Sequence, residues 1–151
     1  EVLNTHGVVG DETIRNIKLT VRLAAGSSSV DMNETSIKYL SSDKVQTLTN
    51  QSKDGDFVDK TADSNEFGLG EVTDDDGSFG VLNSMNDRYE VSINTTKVEA
   101  ANPSGAEHDV GLDTGDKVTL EITSRTGGTT QVILTMPQQL AGKNPGDPVE
   151  L

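Results

Sequence analysis

Arg15-Asn16-Ile17-Lys18-Leu19-Thr20-Val21-Arg22-Leu23 is the stretch whose reading decides the fold. Ile17, Leu19, Val21 and Leu23 alternate with Asn16, Lys18, Thr20 and Arg22, so an extended segment here has one oily face and one wet face. Period two with β-branched residues is a half-buried strand. The same alternation returns in Tyr89, Val91 and Ile93, and again in Val118, Leu120 and Ile122. After Gly127-Gly128 it resumes in Thr130, Val132 and Leu134 and stops at Pro137, which predicts a hairpin closed by the two glycines. Shorter strands are expected at Val8-Val9, Ser36 to Leu40, Val45 to Thr49, Phe57-Val58, Phe67 to Leu69 and Phe79 to Leu82, each bounded by Gly, Asp, Asn or Ser. No long window keeps apolar groups at helical spacing, and the best helical propensity, Thr96 to Ala101, is cut by Asn102-Pro103. The expected fold is therefore all-β: many short strands joined by Gly- and Asp-rich turns indicate a sandwich or a barrel, and a Greek-key β-sandwich is the more common of the two at this length.

That pattern has to answer a composition close to that of disordered chains. Of 151 residues, 32% are hydrophobic and 3% aromatic, against 30 Ser and Thr. Strands that turn every second residue inward need no more apolar residues than this, and one domain spanning 1–151 is expected. The formal charge of −13 and the lack of any basic cluster exclude nucleic acid and acidic membrane surfaces as partners. Without cysteine, disulfides, thiolate metal sites and Cys nucleophiles are all excluded. No run reaches the ~18 apolar residues of a membrane span.

The middle of the chain, Ser41 to Gly80, has few apolar anchors and is expected to form a loop-rich region between short edge strands. It holds the sharpest local motif, Asp74-Asp75-Asp76-Gly77. Three carboxylates ahead of a turn residue are the oxygen ligands that Ca²⁺ or Mg²⁺ takes, and Asp54, Asp56 or Asp59 from another loop are expected to complete such a site. The competing reading is a solvated acidic turn, since Val72 breaks the EF-hand spacing. Enzyme signatures fail. His6 and His108 sit in unlike contexts, Gly-x-Ser-x-Gly is absent, and Gly68-Leu69-Gly70 lacks the third glycine and the helix of a dinucleotide loop. No catalytic residue is assigned and no enzymatic activity is expected. Three N-glycosylation sequons begin at Asn33, Asn50 and Asn94.

Certain residues carry a resemblance beyond their periodicity. Ile17 to Ser27, with its Ala24-Ala25-Gly26-Ser27 ending, followed by Val30-Asp31-Met32 and Thr35 to Tyr39, resembles the start of the outer globular domain of archaellins, the archaeal flagellins. Asp87-Arg88-Tyr89-Glu90-Val91 resembles a strand of that family, and Leu112 to Ile122, Thr135-Met136-Pro137, Leu140 to Lys143 and Val149-Glu150-Leu151 resemble its carboxyl end. The resemblance implies an immunoglobulin-like Greek-key β-sandwich forming the outer sheath of an extracellular swimming filament, the archaellum. It implies other archaellin subunits as partners. It also implies N-glycosylation at Asn33, Asn50 and Asn94, and a metal in the outer domain of some members. Val2 to Gly7 resembles the junction after the family's amino-terminal core helix, which implies an outer domain lacking that helix and unable to polymerise alone. The acidity fits a halophilic source, where carboxylates hold hydration and salt screens their repulsion. The alternatives are an immunoglobulin-like cell-surface adhesin and a filament-associated stator protein.

Overall fold

The computed structural model describes residues 1–51, 63–100 and 110–151. In chain order the strands are β1 (Val2–Val9), β2 (Ile14–Val21), β3 (Val30–Asp31), β4 (Ser36–Leu40), β5 (Val45–Asn50), β6 (Glu66–Thr73), β7 (Val81–Leu82), β8 (Arg88–Asn94), β9 (Lys117–Thr123), β10 (Thr129–Thr135) and β11 (Pro148–Glu150). A 3₁₀ turn, Met32–Glu34, follows β3, and one short helix, α1 (Thr95–Ala100), follows β8. The chain is all-β in class, as its alternation requires.

Nine strands form one sheet in the order β10-β9-β4-β5-β6-β8-β2-β1-β11, while β3 and β7 make a separate small ladder. Every pairing is antiparallel except β5 with β6, where Thr49 lies opposite Glu66 and Asn50 opposite Phe67. The sheet is curled, so that its two halves share one core. Leu19, Phe67, Tyr89 and Val91 from one half and Ile37, Tyr39, Leu48 and Leu120 from the other are all buried within a single core cluster. The opening stretch occupies β2 with Ile17, Leu19 and Val21 inward, paired to β8 through Leu19 opposite Val91. The Gly-Gly hairpin joins β9 to β10 with Leu134 opposite Val118, both buried.

Three departures from the sequence reading have physical causes. The Ser41 to Gly80 region supplies β5 and β6, which sit at the centre of the strand order rather than at an edge. In β6 the alternation Phe67-Gly68-Leu69-Gly70 buries Phe67 and Leu69 fully, and the glycines that replace side chains on the other face dilute the apolar signal. Val2 to Gly7 is part of β1, an eight-residue strand held between β2 and β11. Its polar residues obscure a strand whose stability comes from two neighbours' hydrogen bonds. Finally, Thr95–Ala100 does form a helix, because Asn94 Oδ1 accepts the Lys97 N–H at its start and Val98 is buried. The expected strand at Phe57-Val58 lies outside the described residues.

Candidate functional site

The Asp-rich motif joins β6 to β7 and is built by its own carboxylates. Asp74 Oδ1 accepts the backbone N–H groups of Asp76, Gly77 and Ser78 at 3.2, 3.0 and 3.2 Å. Asp76 accepts the Ser78 N–H at 3.1 Å through Oδ1 and the Asn83 amide at 2.9 Å through Oδ2. Asp75 Oδ2 takes weaker contacts from Ser84 Oγ and Asn86 Nδ2 at 3.4 and 3.3 Å. The Asn83 to Asn86 turn therefore faces the acidic loop and donates to it.

Asp87 shapes that facing turn. It is fully buried, and its Oδ2 accepts the N–H groups of Asn83 and Ser84 at 3.0 and 2.8 Å. Its Oδ1 has no hydrogen-bond partner among the described residues. Tyr89 lies beneath both loops, with its hydroxyl 3.2 Å from the carbonyl oxygens of Ser78 and Val81 and 3.4 Å from Asp74 Oδ2. Phe79 packs edge-on against the Tyr89 ring, with centroids 5.4 Å apart. Sequence reasoning assigned Asp87 to the start of a strand and missed this turn-closing role. The available signal was Asn83-Ser84 followed by a carboxylate at 87, the spacing with which an Asp closes a turn on preceding amides.

The electrostatics follow from this geometry. Hydrogen bonds, first from Ser78 and then from Asn83, hold the Asp76 carboxyl below its ordinary range. Burial, reinforced by the Asp74 charge, pushes the Tyr89 phenol up to about 12. One carboxylate oxygen from each of Asp74, Asp75 and Asp76 lies within 4.8 Å of the others. At that spacing each pair repels by roughly 1 kcal/mol even in water. The ion pairs Lys18–Glu90, Arg22–Glu1 and Arg125–Glu34 all lie on other elements. An all-oxygen donor set with excess negative charge fits a hard divalent cation, which would supply charge neutralisation and a cross-link within the loop, not chemistry. Asp54 and Asp56, and Asp59 with them, lie outside the described residues.

The sequons fare unequally. Asn33 is exposed, and its Oδ1 accepts the Asn50 amide at 2.9 Å. Asn50 itself is only 2% exposed, turned inward from β5. Asn94 is half-buried and spends its side-chain oxygen on the start of α1. Two sequon asparagines thus meet in one hydrogen bond, and of the three only Asn33 stands on the open surface.

The described residues thus form a curled β-sheet with a clustered acidic surface loop and one exposed sequon asparagine, Asn33. A model of the archaeal-type flagellin family matches residues 1–133. Flagellin A2 of Haloferax volcanii is 68% identical over a 159-residue alignment covering all of this chain and 72% of the relative. Flagellin A1 of the same organism is 49% identical with the same coverage. Among solved structures, the archaeal flagellin FlaB1 from Methanocaldococcus jannaschii superposes with a TM-score of 0.78 at 18% identity, covering 99% of this chain and 93% of that one. The archaeal flagellum of Methanospirillum hungatei gives a TM-score of 0.57 at 19% identity over 97% of this chain and 68% of the other. The chain belongs to the archaeal flagellin family.

Proposed function

We infer that this chain is the outer domain of a structural subunit of the archaellum, polymerising with other archaellin subunits outside the cell and carrying no enzymatic activity. The observation that carries this reading is the identity with Haloferax volcanii flagellins across the whole chain. The curled nine-stranded sheet supports it, since halves packed on one core suit the immunoglobulin-like Greek-key sandwich expected of an outer sheath. The −13 charge suits the salt-rich surroundings of such relatives. On the same reading Asp74, Asp75 and Asp76 hold Ca²⁺ or Mg²⁺, which ties the β6–β7 loop to the turn that Asp87 closes. Asn33 is the sequon best placed to carry a glycan. The test is to express the full-length protein in an archaeal host lacking its own flagellins and to image the cells by electron microscopy. Filaments containing this chain are expected, and bald cells with the protein stably present would refute the reading.

A further inference from the structure

On the outward face of the β10-β9-β4-β5 half, Ile133, Thr119, Leu40 and Val45 fall in one row across four strands. Ile133 and Val45 are each 66% exposed, the most exposed large apolar side chains among the described residues. Among the described strand residues of this face the charged side chains are Lys38 and Lys117 against Glu121. Two lysines against one glutamate leave the face at +1 in a chain of −13, so the remainder carries −14. In addition, β10 ends the strand order, and its sequence Thr129-Thr130-Gln131-Val132-Ile133-Leu134-Thr135 has no charge to discourage pairing along its open edge.

We propose that this face is a subunit contact that docks an acidic surface of a second copy of the chain; the proposal rests on the filament reading above. A weakly basic face meeting an acidic one is a heterologous contact, the kind that propagates as an open helical polymer when its rotation does not close a ring. At low ionic strength charge complementarity orients the encounter. In molar salt, where the Debye length falls to about 3 Å, the Ile133–Val45 row supplies the attraction that screened charges no longer provide. Four strands at ~4.8 Å spacing and about six residues at ~3.3 Å give a face on the order of 400 Å². That is about half of the ~800 Å² that each partner of a stable two-body complex buries. The contact is therefore too small to hold a free pair and works by repetition along a polymer.

These 151 residues contain no cysteine, so a thiol introduced among them is the one that a maleimide reads there. Full-length protein carrying Thr47→Cys or Gln131→Cys, both exposed positions on this face, is labelled with a maleimide as dissociated subunits and as filaments. Labelling in filaments is expected to slow at least tenfold at both positions. Filaments whose cysteines react as fast as in free subunits overturn the proposal and leave the filament reading standing. A full-length parent chain that never assembles removes both. As a second variant, Ile133→Asp is expected to keep the subunit's melting temperature and lose at least tenfold in assembly rate, and unchanged assembly counts against the contact.

Discussion

The acidic loop separates two roles that neighbouring carboxylates play, and replacing them one at a time tells the roles apart. Asp74 is an architectural residue: one oxygen collects three backbone N–H groups, and the other lies near the Tyr89 hydroxyl. Truncating a residue that caps backbone donors costs ~0.5–2 kcal/mol. With three donors affected, two of them exposed to replacement water, Asp74→Ala should cost about 2 kcal/mol. Asp75 accepts only two long side-chain contacts at 3.3 and 3.4 Å in exposed surroundings, so Asp75→Ala should cost less than ~0.5 kcal/mol. Urea unfolding in molar salt with chelator measures both. Calorimetry with Ca²⁺ and Mg²⁺ then reads the second role: Asp75→Ala should abolish the heat of cation binding while leaving the chelated protein's stability intact. The reasoning is refuted if Asp75→Ala destabilises the chelated protein as much as Asp74→Ala does. If the unaltered protein gives no cation heat, the cation assignment falls and the architectural one stands.

Further outcomes follow from single groups. Gly111 has φ +152°, and a Cβ there would lie 2.7 Å from Thr13 Oγ1 and 2.8 Å from the Ile14 carbonyl oxygen, an acceptor already shared by Leu112 N–H and Thr95 Oγ1. Gly111→Ala should cost at least ~3 kcal/mol in urea unfolding, whereas Gly26→Ala, with φ +78° and nothing within 4 Å, should cost only the ~1 kcal/mol of a left-handed residue. The Tyr89 phenol is raised to about 12 in the fold against ~10 when unfolded, so its contribution is fully present below pH 10 and is lost as pH rises through 12. Burial raises Tyr39 as well, reinforced by its hydrogen bond to Glu99. Phenolate absorbance should therefore stay low at pH 10–11 and rise only as pH approaches 12 or the protein unfolds; a free-tyrosine titration curve in the folded protein contradicts this. Peptide mass mapping of protein from an archaeal host should find glycan at Asn33 and none at buried Asn50, and the reverse pattern would oppose the surface assignment.

Much of the sheet was legible because alternation is a local signal. The inward residues of β2, β8 and β9 and the Gly127-Gly128 hairpin stand in the structure where period two places them. What escaped was non-local. The strand expected at Phe67 to Leu69 is the heart of β6, but it reads as a short edge strand because Gly68 and Gly70 occupy the face that must stay small, and its central position depends on a parallel pairing with β5 across a long connection. β1 looks like a junction because its backbone pairs with strands before and after it in sheet order, one of them 140 residues away in the chain. At the candidate site, the three consecutive carboxylates were visible, since adjacency is a property of sequence. The facing turn and buried Asp87 were not, because a carboxylate's burial is settled by what folds over it. The Asn33–Asn50 hydrogen bond is likewise a tertiary fact, and it separates three sequons that look equivalent on paper.

Helical reconstruction of filaments assembled from the full-length protein tests the central claim most directly. The account predicts density for the nine-stranded curled sheet at the outer radius, repeated once per subunit, with the Ile133–Val45 face turned to a neighbouring subunit's acidic surface. Filaments of another protein, with this domain absent from the repeating density or confined to the filament's base, would contradict it.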